Sequence, residues 1–300
     1  MSLVKQVFAV LRQSFRKWTT DYRIWTIFIL IFIMINENVR SLASLSEKLG
    51  ENSTVWIFPF LYSQFHLKLI FTLPLVLLYC NAPFIEQNSL FIISRCGKLK
   101  YTISQIFYIV ISALFYYIFI FAVSIILSLP YADISNEWGK ILNIIAYTDV
   151  SLIEGFNFLD SSGMVITYFK PFQAVLFTIL MSVLFAVVIG LIIYAANIIT
   201  KTKYIGCLIS SLIIVFSSFG EVWGNKKFLP YSPASWITLD KLDVGGLTSN
   251  PTFTYCLTVY LVTIVILTAL ILVFGRKQTV DAMTVSYTHL RAHETLSDLV

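Results

Sequence analysis

Histidine, cysteine and acidic side chains are the first candidates for chemistry, and few of them have a useful spacing. The three histidines are His66, His289 and His293, and the last two stand beside Glu294 in a pattern that could bind a metal ion. The cysteines form no CxxC or CxxxC pair, so they indicate neither a disulfide framework nor a metal knuckle. They are Cys80, Cys96, Cys207 and Cys256.

The segment that holds His289 and His293 differs in character from the rest of the chain. From about Thr284 the sequence continues no helical face. Its string SYTHLRAHET, residues 286–295, resembles a peptide of translated sequencing adapter that ends many unrelated predicted proteins. We therefore expect the native protein to differ after about Met283, and we place no functional residue and no metal ligand in 284–300.

The composition indicates the class of protein. Hydrophobic residues make up 58% of the 300 residues and charged residues 12%, against about 45–50% and about 25% in soluble domains. Mean hydropathy is +0.82. These values predict an integral membrane protein. The net charge of +5 is too small to indicate a nucleic-acid partner.

Six apolar runs approach the length of about 20 residues that a membrane-spanning helix needs. They lie at 22–39, 55–79, 103–129, 172–199, 205–222 and 255–274. We therefore expect an all-α membrane domain over 22–280 with six transmembrane helices.

Orientation follows from the positive-inside rule. With a cytoplasmic N-terminus, the inside segments carry twelve Lys and Arg against three acidic residues, and the outside loops carry seven against eleven. The sequence predicts a multi-pass protein of the cell (plasma) membrane whose N- and native C-termini are both cytoplasmic.

Residues 1–21 form a separate amphipathic pattern. Apolar residues recur at helical spacing, whereas the basic residues lie largely on the other side. We expect a helix in the cytoplasmic interface of the bilayer, with Trp18 at headgroup depth. Two alternatives stay open: a frayed basic tail, and a signal peptide cleaved near Ser41 to Ala43.

Two polar residues, His66 and Lys68, lie inside the second apolar run. They are the candidate intramembrane contacts for a substrate or a lipid headgroup. The alternative is a lysine that extends its amine toward one surface beside a kink at Pro74, or a span that begins near Phe65 and leaves both residues in interfacial water.

The loop 81–100 between the second and third spans is the most informative segment. After Pro83 its sequence is typical of a short amphipathic helix that ends at Gly97 and is followed by Lys98 and Lys100. A connection between two spans needs no such helix, but a membrane subunit that receives motion from a soluble motor does.

This loop resembles the coupling segment in permeases of the type-2 ABC exporter superfamily. The shared pattern is an acidic residue, Glu86, after Pro-Phe, a short apolar helix, and Arg95-x-Gly97-x-x-Lys100 before a long span. The N-terminal helix, the six spans and the Ser-Pro-x-Ser-Trp stretch at 232–236 are also similar to that family. The resemblance covers most of residues 1–280 as architecture.

The resemblance implies a permease subunit without ATPase activity of its own, and the chain has no G-x-x-x-x-G-K-[ST] loop. It implies three kinds of partner: a separate ATPase subunit that carries the ATP, a second permease copy or paralogue, and the lipid bilayer. The residues that it places at the ATPase contact are Pro83, Glu86, Arg95, Gly97, Lys98 and Lys100. Their alternative role is that of ordinary positive-inside topology charges.

Other classes of membrane protein remain as alternatives. A secondary transporter or channel predicts interrupted helices or acidic residues at mid-membrane depth. A membrane-embedded enzyme needs convergent Glu, His or Asp within its spans, where the sequence offers only His66 and Lys68. A non-transport subunit, such as a sensor or assembly factor, is a further alternative. The sequence does not identify an exported substrate.

Overall fold

The computed structural model describes residues 3–84, 89–147, 162–202, 204–222, 226–246 and 248–277, and these residues are mostly helical. Their α-helices are α1 Leu3–Arg16, α2 Tyr22–Leu49, α3 Phe65–Thr72, α4 Pro74–Tyr79, α5 Ser89–Cys96, α6 Lys98–Ser128, α7 Gly139–Tyr147, α8 Gly163–Tyr168, α9 Pro171–Thr200, α10 Ile205–Val222 and α11 Phe253–Lys277. Two short strands, β1 Ser53–Thr54 and β2 Ala132–Asp133, pair in parallel just after α2 and α6 end.

Four helices among the described residues are long and apolar enough to cross a membrane. They are α2, α6 with the turn that follows it, α9, and α11 as far as Gly275. Two shorter apolar stretches, Phe65–Tyr79 and Ile205–Phe219, accompany them. Many large apolar side chains on the long helices are exposed, among them Ile29, Phe107 and Val265. Such a surface fits a hydrocarbon environment.

Local residue chemistry sets the ends of these helices. The Asp21 carboxylate accepts a hydrogen bond from the Arg23 backbone N–H at 3.0 Å and so caps α2. Gly50 ends α2 in the left-handed conformation, at φ 66°. Pro171 occupies the first turn of α9. Backbone N–H groups in a first turn have no partner within the helix, so a proline there costs no hydrogen bond.

Helix α9 lies at the centre of the bundle and packs against α6, α10 and α11. It is the most buried of the four long helices, and α11 is the least buried. A Cβ atom on Gly190 would lie 2.6 Å from Ile109 Cγ2 of α6. Glycine at this position therefore permits a close crossing of α9 and α6.

The sequence analysis expected one transmembrane helix over residues 55–79. The structure has no continuous helix there. The first part is a buried 3-10 helix, Phe58–Tyr62, with Pro59 in its first turn. Gln64 is extended, and only then does α3 begin. Pro74 lacks the N–H that would continue the hydrogen-bond ladder, and α4 begins at this residue. The apolar run thus provides 15 residues of interrupted helix.

The other apolar runs coincide with helices. α9 and α10 begin and end within one residue of the expected ranges, and α11 extends the expected range by a few residues at each end. α2 continues ten residues beyond the expected end at Val39. That extension carries charged residues such as Arg40 and Lys48, which ended the apolar run in the sequence but not the helix.

Candidate functional site

Helix α5 and its link to α6 form an exposed part of loop 81–100 among the residues that the structure describes. The two helices are separated by one residue, Gly97, at φ 83° and ψ 153°. This conformation is essentially restricted to glycine. The Gly97 N–H donates to the Ile93 carbonyl at 2.8 Å and ends α5. Phe91 is 72% exposed and Arg95 is also exposed, so α5 presents an apolar and a basic side chain on its open surface.

Tyr101 of α6 holds the base of α5. Its hydroxyl donates to the Phe84 carbonyl at 2.9 Å and lies within hydrogen-bond distance of the Ser89 hydroxyl, at 3.2 Å. The Phe84 ring packs edge-on against Tyr108, with 5.0 Å between ring centroids. Phe84 and Ser89, the residues on either side of 85–88, thus both contact Tyr101 of α6.

Asn197 joins the start of loop 81–100 to two further helices. Its side-chain amide lies near the end of α9 and is 2% exposed. The Asn197 amide nitrogen donates to the Ala82 carbonyl at 2.8 Å, and the Asn197 amide oxygen accepts from the Gly206 backbone N–H at 2.9 Å. Gly206 lies in the first turn of α10, whose N–H groups need a partner outside the helix. One side chain therefore connects α9, α10 and the loop.

Helix α2 reaches the same loop through Arg23. The Arg23 guanidinium lies 3.3 Å from the Asp21 carboxylate and donates to the Asn81 side chain, also at 3.3 Å. Together, the Tyr101, Asn197 and Arg23 contacts link residues 81–84, at the start of the loop, to α2, α6, α9 and α10.

Helix α1 packs along the first half of α6. Val10 and Leu11 are buried, and the rings of Phe15 and Trp18 contact Tyr108. The Trp18 indole N–H donates to the Tyr108 hydroxyl at 2.8 Å. α1 and α5 thus both pack against the N-terminal half of α6.

The residues expected at an ATPase contact separate into two groups. Arg95 and Gly97 are exposed, and Pro83 and Lys98 are half-buried. Lys100 instead donates from Nζ to the Gln6 side chain at 2.8 Å, so it holds α1 against α6. Glu86 lies outside the described residues, as do 284–300 with His289 and His293.

The two candidate intramembrane residues have opposite environments. Lys68 is completely buried, whereas His66 is exposed. The helix does begin at Phe65, as one alternative held, but that alternative placed Lys68 in interfacial water, and its burial contradicts this. The ring of Phe65 packs on Phe219 of α10, with 4.8 Å between centroids. Lys68 is therefore an ionisable residue enclosed by protein, an arrangement that is unfavourable unless the amine is paired.

Further buried polar groups lie inside the bundle, and the sequence analysis did not select them. The hydroxyls of Tyr62, Tyr117, Thr178 and Ser182 are buried and have no hydrogen-bond partner in the described part of the chain. Thr178 and Ser182 are four residues apart on α9 and so share one face. That spacing in the sequence is a signal that could have identified this face.

The Ser-Pro-x-Ser-Trp stretch is a packed corner at the opposite end of the bundle from α5. The hydroxyls of Ser232 and Ser235 both donate to the Ser217 carbonyl, at 2.6 and 3.2 Å. The Trp236 indole donates to the Leu229 carbonyl at 2.7 Å. The Tyr260 hydroxyl of α11 donates to the Pro233 carbonyl at 2.6 Å. These bonds fasten the corner to α10 and α11.

The geometry defines a class of helical protein suited to a membrane, with a short exposed helix at one end of the bundle. In the ranges that the structure describes, no group of three or more His, Cys, Asp and Glu could hold a metal ion. No protein-family model, curated protein or solved structure matches this chain.

Proposed function

We propose that the chain is the membrane-spanning permease subunit of an ATP-driven ABC exporter, and that α5 is its contact with a separate ATPase subunit. The observation that carries the proposal is the contrast within loop 81–100. The outer surface of α5 is exposed at Phe91 and Arg95, whereas its first residue, Ser89, is hydrogen-bonded to α6. The start of the same loop, at Ala82 and Phe84, is hydrogen-bonded to α9 and α6.

This arrangement suits the transmission of force. A movement of α5 reaches α6 through the hydrogen bond between Ser89 and Tyr101. Asn197 joins the start of the same loop, at Ala82, to α9 and α10. Packed elements joined by buried hydrogen bonds move as units, so closure of a bound ATPase would tilt several helices together. The ATP belongs to the partner, and this chain contributes no phosphate-binding loop.

The proposed topology has six crossings and a cytoplasmic N-terminal helix in the interface. The four long helices make four crossings. The other two use Phe65–Tyr79 and Ile205–Phe219, each 15 residues or about 22 Å of helix. That is shorter than a hydrocarbon core of about 30 Å. The buried 3-10 helix Phe58–Tyr62 supports the first short crossing, because irregular backbone is tolerated at membrane depth where protein covers it.

The partners in this proposal are an ATPase subunit, a second permease copy or paralogue, and the lipid of the cell (plasma) membrane. Both native termini lie in the cytoplasm. Lys68 and His66 stay the candidate intramembrane contacts for the exported molecule, with buried Lys68 the stronger of the two.

Co-purification tests the proposed contact. The tagged chain is co-expressed with whatever ATPase is encoded beside its gene and isolated in mild detergent. We expect the ATPase to be retained in roughly stoichiometric amount and to be lost from Arg95→Glu. Arg40→Glu is the matched control. It makes the same charge change on an exposed side chain in the C-terminal half of α2, away from loop 81–100. Equal retention by both variants, or no retention by the unaltered chain, contradicts the proposal.

A further inference from the structure

A cavity of about 210 Å³ lies between α1 and the base of α5. Its walls also include the start of α2, the end of α4 and the first turns of α6. Pockets that enclose drug-sized ligands usually measure about 300–1,000 Å³. This cavity is therefore suited to a group the size of a lipid headgroup.

One wall of the cavity carries an acceptor that needs a ligand. Gln105 of α6 is 2% exposed, and its side-chain oxygen has no hydrogen-bond partner among the described residues. An unsatisfied buried acceptor is unfavourable, and a bound group with an N–H or O–H would satisfy it. The missing partner at this oxygen points to an occupant with a hydrogen-bond donor.

The rest of the lining separates into a charged side and an apolar side. Lys17, Asp21 and Arg23 line the charged side. Ile24 and Leu77 line the apolar side, and Leu77 is 57% exposed on the outer surface of the bundle. Asp21 is paired with Arg23, and the two basic residues together outnumber it by one charge, which suits a phosphate. An acyl chain suits the exposed leucine. One molecule that joins both chemistries is a phospholipid.

We propose that this cavity binds the headgroup of an inner-leaflet phospholipid that ends in a hydrogen-bond donor, as ethanolamine and glycerol headgroups do. The Gln105 side chain turns its buried oxygen toward the cavity to accept from this donor, the phosphate lies beside Lys17 and Arg23, and the chains leave along Leu77. Phe84 and Ser89 line the same cavity, so the headgroup contacts the base of α5. The inference rests on the membrane topology of the proposed function and does not require an ATPase partner.

The test compares lipids whose headgroups differ in N-methylation, and therefore in the number of N–H donors; the dimethyl derivative is nearly as large as choline but keeps one donor. The purified full chain is titrated by native mass spectrometry with phosphatidylethanolamine, its N,N-dimethyl derivative and phosphatidylcholine, all with identical acyl chains. Ethanolamine and dimethyl-ethanolamine headgroups retain an N–H, and choline has none. We expect about tenfold tighter binding of the first two than of phosphatidylcholine, which is about 1.4 kcal/mol. Equal affinity for all three lipids overturns the proposal.

A pair of variants assigns the preference to the cavity. Gln105→Leu should reduce the difference between the lipids to less than about twofold, since it removes the acceptor. Gln64→Leu is the matched control, because the Gln64 side-chain oxygen also has no partner in the described chain but does not line the cavity. A preference that persists in Gln105→Leu overturns the assignment. The comparison of lipids on the unaltered chain holds even where a variant does not fold.

The two proposals can fail separately. If the unaltered chain shows no lipid selectivity but still retains the ATPase, the lipid proposal alone is refuted. Absence of ATPase retention with intact lipid selectivity refutes the exporter proposal alone.

Discussion

Replacement of Asn197 by leucine tests whether one buried amide holds loop 81–100 to the bundle. Leucine has a similar volume, so the change creates little cavity, but it removes both hydrogen bonds of the side chain. The Ala82 carbonyl and the Gly206 N–H, bonded at 2.8 and 2.9 Å, lose their partner. Each unsatisfied buried group costs about 1–3 kcal/mol, so the expected loss of unfolding free energy is about 2–6 kcal/mol. That is a large part of the about 5–15 kcal/mol typical of a folded protein.

Unfolding in mixed micelles, followed against the mole fraction of SDS, measures this loss. Thr200→Ala is the control, since Thr200 is exposed on the same helix and bonds locally to the Ala196 carbonyl. We expect the control to change stability by less than about 0.5 kcal/mol. If Asn197→Leu also stays within that margin, the amide does not connect the loop to α9 and α10, and the reasoning is refuted.

Three further substitutions probe the same account. Gly97→Ala forces an alanine into a backbone conformation that costs about 1–3 kcal/mol. A Cβ there meets no atom within 4 Å, so this cost comes from the backbone alone. We expect faster proteolysis at α5 with unchanged membrane insertion, and an unchanged cleavage rate would contradict this. Trp18→Phe removes the N–H that bonds to Tyr108; we expect faster hydrogen exchange in α1, with α9 as the internal reference. Gly190→Ala places a Cβ 2.6 Å from Ile109 Cγ2 and should cost about 1–3 kcal/mol in the SDS titration, with partial rescue by Ile109→Ala; no loss would show that the crossing is not close.

Much of the helical framework can be predicted from local sequence. Long apolar runs predicted α9 and α10 to within a residue, because hydropathy and helix length respond to the same requirement. Gly97 was expected to end the helix in loop 81–100, and it does so with a positive φ. Each of these features depends on residues that are near one another in the chain.

The run at 55–79 shows where local pattern fails. Its composition is as apolar as that of a span, but Pro59, an extended Gln64 and Pro74 divide it into a 3-10 helix and two short helices. Hydropathy measures burial, and buried residues can have irregular backbone where other helices cover them.

The contacts that form the candidate site depend on residues far apart in the sequence. Asn197 bonds to a carbonyl 115 residues earlier, and Trp18 bonds to a hydroxyl 90 residues later. Neither residue type is unusual in its local context, so no spacing rule selects it. Lys100 is a further example of a contact that local sequence does not predict. The sequence analysis expected it at the ATPase contact, but it bonds to Gln6 within the chain.

Site-specific photo-cross-linking from α5 tests the central claim most directly. A photoreactive phenylalanine replaces Phe91, which is 72% exposed, and in a second variant it replaces Ile134, which is 73% exposed and follows α6 at the other end of the bundle. On irradiation of membranes that contain both subunits, we expect position 91 to cross-link to the ATPase and position 134 not to. No cross-link from position 91, or an equal yield from both positions, would contradict the account of α5 as the ATPase contact.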